Sequence, residues 1–298
     1  MSSRNRQRML AWMTVVGVGA ASAVCWAQAP KPPPELKPDE IAKIEAALPA
    51  AASAKAAKPR RVLIFWRCEG FFHGNGIAAG NKAIELMGAK TGAYTVDVSA
   101  EYDVFDAANL AKYDAVVFNN TTSLKFPDNA HRKALSEFVN GGKGIVGIHS
   151  ATDNFYNWPE AASMMGGLFS GHPWGAGGTW AVKLDEPDHI LTKAFGGKGF
   201  KLQDEIYQFK APYTRDDRRV LLSLDLSDPA TAKPAEKGGR ADKDYAISWI
   251  KTVGQGRVFY CSLGHAGNVF MEPAVLKYYL DGIQYAIGDL PADATPKK

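Results

Sequence analysis

The 298-residue sequence predicts an α/β domain with a central, mostly parallel β-sheet and an antiparallel extension. Three observations support this prediction. Short apolar runs recur through the first half of the chain, which is typical of strands buried on both faces. Amphipathic segments of helical length separate these runs, so that strands and helices alternate. In the second half, strand-like segments follow one another with few helices between them.

The first half contains four predicted strands and two predicted helices. The run over 62–66 is apolar throughout and forms the first strand. The remaining elements are a helix over 77–90, a strand over 94–99, a strand over 114–119, a helix over 127–139 and a strand over 144–149. The second helix has a proline in its first turn and ends at two glycines, which are ordinary helix boundaries. Right-handed βαβ connections then place the strands parallel in one sheet.

The second half predicts the antiparallel extension and a return to the main sheet. Its elements are strands over 180–184, 201–209, 220–226, 245–251 and 256–262 and a closing helix over 272–287. Residues 228–243 are polar and rich in alanine, lysine and glycine, which favours an exposed loop. We expect the domain to span residues 60–290 and residues 291–298 to form a disordered tail.

The N-terminus predicts export from the cytoplasm. Three arginines precede an apolar stretch over 10–26, and Ala27 to Ala29 matches an A-x-A cleavage site. This order is typical of a signal peptide over residues 1–29, removed after Ala29. The alternative is a membrane anchor, but a stretch of about 17 residues that contains glycines is short for spanning. We therefore expect a periplasmic or secreted protein with no membrane attachment after cleavage.

The segment over 30–59 is rich in proline and alanine and predicts a linker. It contains one short capped helix over 39–48.

Composition argues against two classes of partner. Removal of residues 1–29 takes away three arginines and no acid, so the formal net charge falls from +4 to +1. A nearly neutral protein lacks the positive field that binds nucleic acid. No Gly-x-Gly-x-x-Gly motif follows the first strand, so we expect no bound dinucleotide.

Cys68 and Cys261 lie near predicted strand ends, where a disulfide and two free thiols are both open alternatives.

Histidines cluster at the predicted strand ends. Ligands of an open parallel sheet bind at the carboxyl ends of its strands. Three of the six histidines, His73, His149 and His265, lie at such ends, and His172 lies in a turn. One histidine alone would be explained by a structural role at a strand end. Four together favour a functional site.

The segment Gly147 to Ala151 carries the sharpest signal. Its pattern, G-x-H-x-A, matches a nucleophile elbow, in which small flanking residues let a strand turn sharply and present the central side chain. The central residue is His149, and Ser150 lies beside the apex. We therefore expect neither a serine hydrolase nor a cysteine nucleophile.

Between Arg61 and Asp289 the chain resembles the trehalose-utilisation (ThuA-like) family. The matching segments are Gly70 to His73, Gly147 to Asp153, Gly166 to Pro173, Asp204 to Tyr207 and Gly256 to His265. The resemblance implies a flavodoxin-like three-layer sandwich of the class I glutamine amidotransferase-like superfamily. It places His149 at the amidotransferase cysteine position and His265 at the triad histidine, which implies that glutamine hydrolysis is lost. It also implies disaccharide catabolism, especially of 3-keto sugars made by a partner dehydrogenase.

Side-chain chemistry defines the candidate catalytic residues. A 3-keto-glycoside has an acidic proton at C2, so its elimination or isomerisation needs a base, an acid and a group that stabilises an enolate. The catalytic candidates are His149, His265, Glu205 and Asp204. Neighbouring strand residues point to opposite faces, so we expect Glu205 rather than Asp204 to face the site.

A divalent metal that polarises the ketone is the alternative chemistry. The candidate ligands are His149, His172 and His265 with a carboxylate. No HExxH or similar spacing marks these residues as a ligand set.

Other polar and aromatic residues are expected to bind the sugar. The substrate-binding candidates are His73, Asn119, Asp153, Trp158, His172 and Trp174. Core packing is the alternative for the tryptophans, and turn formation is the alternative for Asn119. We therefore predict a sugar-active lyase, hydrolase or isomerase. A non-catalytic carbohydrate-binding module and a partner subunit of a sugar dehydrogenase are the other hypotheses.

Overall fold

The computed structural model describes residues 30–238 and 240–297; the predicted signal peptide lies outside them. The strands are Arg61–Phe65 (β1), Thr95–Ser99 (β2), Ala115–Asn119 (β3), Gly144–Ile148 (β4), Leu168–Phe169 (β5), Thr179–Leu184 (β6), Phe200–Gln203 (β7), Phe209–Lys210 (β8), Arg219–Leu224 (β9), Ala246–Val253 (β10) and Gly256–Cys261 (β11). The α-helices are Pro38–Ala47 (α1), Gly74–Thr91 (α2), Ala107–Leu110 (α3), Asn129–Asn140 (α4), Pro159–Met165 (α5), Pro229–Gly238 (α6) and Pro273–Ala286 (α7).

Nine strands form one central sheet in the order β2-β1-β3-β4-β11-β10-β9-β6-β7. The first five strands in this order are parallel. The pairs from β11 through β7 are antiparallel. Strands β5 and β8 form a separate antiparallel pair. The predicted fold class, a mostly parallel sheet with an antiparallel extension, is confirmed.

Helices cover both faces of the sheet because its central strands are apolar on both sides. In β1, Val62 and Ile64 join the hydrophobic cluster under α1, α2 and α7. The alternate residues Leu63 and Phe65 join the second cluster, under α3, α4 and α5. This period of two is what a fully buried strand requires. The result is a three-layer sandwich whose parallel strands all end at the same edge.

Residues 30–59, predicted as a linker, pack against the domain. Ile44 on α1 is completely buried and belongs to the core under α2 and α7. The backbone N–H groups of Ser53 and Ala54 donate to the Gln284 side-chain oxygen, at 2.9 and 3.3 Å. The Ala57 backbone N–H donates to the Asp289 carboxylate at 3.1 Å. An apolar stripe on a short helix and these polar contacts therefore hold the segment in place.

Residues 291–297, predicted to be disordered, also lie against the domain. The Asp293 carboxylate pairs with the Arg219 guanidinium, and the Asp293 carbonyl accepts a hydrogen bond from His189 Nε2 at 3.1 Å. Lys297 pairs with the Glu186 carboxylate at 2.9 Å. Charge pairing with the sheet's surface residues explains this placement, which the short polar sequence does not indicate.

The segment 228–243, predicted as an exposed loop, contains helix α6. The Asp228 carboxylate accepts from the Thr231 backbone N–H at 3.0 Å, as a helix-capping side chain does. The Thr231 carbonyl accepts from the buried Trp174 indole at 2.8 Å. The helix therefore depends on a tertiary contact as well as on its alanines and lysines.

The predicted strand over 201–209 is two strands, β7 and β8, with a break between them. The Asp204 carboxylate binds backbone N–H groups of the loop after β11, and the Ile206 N–H donates to the Trp174 carbonyl at 2.9 Å. These contacts replace the regular ladder over five residues. The break brings Glu205 to the edge where the parallel strands end.

Cys68 and Cys261 are both free thiols. Cys261 is buried in β11, and the Cys68 thiol donates to the Asn120 carbonyl at 3.1 Å. Of the two alternatives left open by the sequence, the structure has the unpaired thiols. Among the described residues, no helix combines the length and the apolar character that crossing a membrane requires.

We expect Ile44→Ala to lower the free energy of unfolding by about 2–5 kcal/mol, because it leaves a cavity in the core. Chemical denaturation of the wild-type protein and the variant measures this difference. The exposed neighbour Glu45 provides the matched control, since Glu45→Ala removes no buried contact. Equal stability of Ile44→Ala and the wild type would contradict the packing of α1.

His189 should make stability depend on pH. Its Nδ1 accepts from the Leu191 N–H at 3.3 Å while Nε2 donates to Asp293, so the neutral ring satisfies both contacts. Burial lowers its pKa below 6.5. As pH falls below 6.5, the unfolded chain takes up a proton that the folded state resists, and the free energy of unfolding should fall.

Urea denaturation between about pH 7.5 and pH 5.5 tests this expectation. The acid-induced loss of stability should be smaller in His189→Asn than in the wild type. Identical pH profiles would contradict the assignment.

Candidate metal and catalytic site

The elbow after β4 places His149 at the carboxyl edge of the sheet. His149 has a φ of 49°, a left-handed conformation that costs a non-glycine residue of order 1–3 kcal/mol. Gly147 lets the chain pack closely beneath this turn, because a Cβ at position 147 would lie only 2.5 Å from the Met165 sulfur. The Tyr260 hydroxyl donates to the His149 carbonyl at 2.6 Å. The chain therefore turns sharply into a 3₁₀ turn, His149–Thr152.

One hydrogen bond orients the His149 ring. Its Nδ1 lies 2.7 Å from the Ser262 carbonyl oxygen, at the end of the neighbouring strand β11. A carbonyl oxygen can only accept, so Nδ1 carries the proton and Nε2 keeps a free lone pair. The side chain is fully buried. It therefore presents one fixed nitrogen to its neighbours.

Four side chains meet around that nitrogen. His73, His149, Glu205 and His265 each offer a donor atom, and all four atoms lie within 4.8 Å of one another. His265 Nδ1 is 3.3 Å from His149 Nε2 and 3.3 Å from Glu205 Oε1. His149 Nε2 is 3.7 Å from the same carboxylate oxygen. Segments that follow β1, β4, β7 and β11 thus converge at one point.

The electrostatics divide this cluster into neutral and charged members. Burial, together with the neighbouring imidazoles, holds the pKa of His149 well below 6.5. Burial also lowers the pKa of His73, to about 4. Burial opposes the charge of His265 and Glu205 as well, but their contact outweighs it, raising the His265 pKa and lowering that of Glu205. Two neutral rings thus face a histidine and a carboxylate whose contact favours the charged form of both.

Asp204 and Glu205 point in different directions, as the strand period predicts. The Asp204 carboxylate is buried and accepts from the backbone N–H groups of Gly264 at 2.7 Å and His265 at 3.1 Å. Burial raises its pKa to about 7, against the opposing effect of these N–H groups. Asp204, predicted as catalytic, instead holds the loop that positions His265.

His172 lies beside the cluster but outside the four converging donors. Its Nδ1 is 3.3 Å from Glu205 Oε2, and its side chain is about half exposed, at 51%. Of the predicted ligand set, His149, His172 and His265 with a carboxylate, the structure brings together His149, His265 and the Glu205 carboxylate, and His73 takes the place expected for His172. His172 contacts that group through the carboxylate.

Three predicted sugar contacts are corrected because their side chains are buried. Trp174 is completely buried, with its indole bound to a backbone carbonyl, and Trp158 packs among aromatic rings of the second core. The Asn119 amide donates to the Ile77 carbonyl and to Asn81, at 3.1 and 2.8 Å, which connects β3 to α2.

Asp153, another predicted sugar contact, lies at the same edge as the elbow. Its carboxylate accepts a hydrogen bond from the Tyr156 hydroxyl.

Tyr207 belongs to the site, although the sequence analysis assigned it no role. Its hydroxyl lies 3.5 Å from His73 Nε2, and its ring centroid is 4.3 Å from that of His149. Its backbone N–H donates to the Ser262 hydroxyl at 3.1 Å. It follows Glu205 by two positions, and a period of two on an extended segment is the signal that could have identified it.

The donor set fits a divalent transition metal. Bonds of about 2.0–2.1 Å around a tetrahedral ion place neighbouring donors about 3.3–3.4 Å apart. The three distances among His149, Glu205 and His265 are 3.3, 3.3 and 3.7 Å. A single N–H, on His265 Nδ1, faces two hydrogen-bond acceptors, His149 Nε2 and Glu205 Oε1. The site therefore has more lone pairs than N–H groups to bind them. A carbonyl that orients a ligating imidazole is the usual outer contact of such a site, as at His149.

The fold and the histidine-lined edge define an α/β protein with a mostly parallel sheet, an antiparallel extension and a candidate metal site at the carboxyl ends of its parallel strands. A family model described as ThuA, trehalose utilisation, matches residues 61–286. The chain belongs to this family, and the predicted relationship is confirmed. A search of curated proteins gives no match.

Solved structures of ThuA-like proteins share the fold. One from Bacteroides uniformis is 22% identical with a TM-score of 0.61, covering 78% of this chain and 94% of its own. Another, from Parabacteroides merdae, is 19% identical with a TM-score of 0.59, covering 78% of this chain and 91% of its own. At these identities the similarity concerns the fold alone.

We expect the purified protein to retain about one Zn²⁺, Mn²⁺ or Ni²⁺ ion per chain after incubation with the metal salt and gel filtration. His149→Ala and His265→Ala should each weaken binding at least about tenfold, since each removes one donor. Elemental analysis and calorimetry measure content and affinity.

The control for these variants is His131→Ala, because His131 lies on α4 beside Asp106, away from the site. It should bind metal as the wild type does. Metal content that stays at the wild-type level in His149→Ala would contradict the assignment of the cluster.

Proposed function

We propose that the protein is an enzyme acting on an oxidised disaccharide or glycoside, with a divalent metal held by His73, His149, Glu205 and His265. The observation that carries this proposal is the convergence of four donor atoms within 4.8 Å at the sheet edge where α/β proteins bind ligands. Membership of a family described by trehalose utilisation supports a sugar as the substrate.

A 3-keto sugar suits this site chemically. Its carbonyl acidifies the proton at C2, and the leaving group at C1 departs when that proton is removed. A bound divalent metal supplies Lewis acidity toward the carbonyl oxygen. The remaining need is a side chain that moves the proton.

His172 is the side chain that we assign to proton transfer. It lies outside the four donors, it is about half exposed, and Glu205 Oε2 is 3.3 Å from its Nδ1. In an elimination, the C2 proton passes to the His172 ring, the C2–H electrons form the C1=C2 bond, and the C1–O bond breaks. The departing oxygen then takes a proton from the protonated ring or from water. Glu205 stabilises the ring while it is charged.

Export and a dehydrogenase partner complete the proposal. The basic start, the apolar stretch and the A-x-A site of residues 1–29 support secretion to the periplasm or medium. A 3-keto sugar arises from a glycoside by oxidation at C3, so an oxidising enzyme must precede this one. Intact-mass measurement of the exported protein should give an N-terminus at Pro30. A chain that keeps residues 1–29 in the cytoplasm would contradict export.

We expect His172→Gln to lower kcat on 3-keto-trehalose by about 10²–10⁴-fold, the usual contribution of a proton-transfer group. Metal content should stay at the wild-type level. Glu205→Gln should lower both metal content and kcat. Mass spectrometry of the products and elemental analysis separate the two effects.

The exposed-face control Lys133→Ala should match the wild type in both measurements. Turnover unchanged in His172→Gln would remove this residue from the mechanism. Sugar-dependent thermal stabilisation with no product in the wild type would instead support a non-catalytic carbohydrate-binding module.

A further inference from the structure

An exposed aromatic ring lies next to the four-donor cluster. Among the described residues, Phe71, Val98 and Tyr156 are the large hydrophobic side chains that are exposed, and Phe71 is the most open, at 67%. The Phe71 ring meets the His73 ring edge to face, with centroids 4.8 Å apart. The solvent-exposed Phe71 ring therefore lies in direct contact with a candidate metal ligand, His73.

The N-terminal arm, which we define as residues 31–34, lies in the same place. Its residues Lys31, Pro32 and Pro34 line a groove together with Phe71, Phe72, His73 and His265. The Lys31 ammonium lies 5.1 Å from the centroid of the Phe72 ring. A Cβ on Gly74 would come within 3.1 Å of the Pro34 ring and 2.9 Å of Phe72. The arm is therefore packed tightly across the start of α2.

We propose that this groove is a second sugar subsite, in which the ring adjoining the one at the metal stacks on Phe71. The proposal rests on the function proposed above and adds its specificity: the protein selects two-ring substrates over one-ring substrates. The apolar face of a pyranose packs on an aromatic ring while its hydroxyls remain free to bind polar groups. Lys31 and Asn75 line the groove and carry donors for those hydroxyls.

The arm belongs to the N-terminal extension, which we define as residues 30–60, so the subsite depends on that extension. Residues 31–34 precede the region 61–286 that the family model matches. Helix α1 anchors the extension by burying Ile44, so the arm enters the groove from a fixed point. Three consecutive prolines limit the conformations of the arm and lower the entropy lost when it serves as a wall.

Calorimetry with 3-keto-trehalose and 3-keto-glucose tests the subsite. Every protein in this comparison, including the one with the wild-type groove, also carries His172→Gln, so that the bound disaccharide is not cleaved during the titration. We expect the metal-loaded protein with the wild-type groove to bind the disaccharide at least about tenfold more tightly than the monosaccharide. Phe71→Ala should remove most of that difference by weakening disaccharide binding about tenfold, with monosaccharide affinity unchanged. A variant with Pro32, Pro33 and Pro34 replaced by glycine should do the same, because the arm loses its fixed shape.

The exposed Val98, on edge strand β2, supplies the matched control, since Val98→Ala removes a similar apolar surface outside the groove. Metal content should stay at the wild-type value in every variant, and the melting temperature should stay there in Phe71→Ala and Val98→Ala. Equal affinity of the wild type for the two sugars, or full selectivity in Phe71→Ala, would overturn the subsite and leave the proposed function intact. Binding of neither sugar by the metal-loaded wild type would overturn both.

Discussion

The parallel pairing of β4 with β11 is the constraint on which the site depends. Ile148 pairs with Cys261 at the end of this ladder, so the next residues, His149 and Ser262, leave the sheet side by side. The Ser262 carbonyl then accepts from His149 Nδ1 and determines which nitrogen faces the cluster. A shift of one residue in the register would turn every side chain of β4 to the opposite face. The hydrophobic sheet thus determines the tautomer and direction of one imidazole.

The free-energy cost of burying polar groups at this edge is offset in three ways. His73 and His149 avoid the cost of a buried charge because burial keeps their rings neutral. The contact between His265 and Glu205 favours the charged form of both side chains. The Asp204 carboxylate is placed against backbone N–H groups instead, where it holds the loop of His265. The cluster therefore offers imidazole nitrogens and one carboxylate, which are donor types that a divalent transition metal binds.

The N-terminal extension connects stability with recognition. Its helix contributes Ile44 to the core, and the residues after the helix bind Gln284 on α7. The residues before the helix line the groove beside His73 and His265. The same segment thus stabilises one layer of the sandwich and shapes the access to the donor cluster. The matched family region begins at residue 61 and does not include it.

The sequence by itself determined the layers and the histidines. Period-two and period-3.6 patterns are local, so the strand 62–66, the helix 77–90 and the closing helix are close to their observed bounds. Strand ends in a parallel sheet meet at one edge, so the sequence predicted that His73, His149 and His265 lie close together, as they do in the structure. Tertiary structure decided which of the other predicted side chains are buried and how Glu205 comes within reach of the histidines. Trp174 is buried because α6 covers it, and Glu205 reaches the cluster because the strand breaks after β7. The positions of Trp174 and Glu205 depend on contacts between segments far apart in the chain, and local sequence patterns do not encode such contacts.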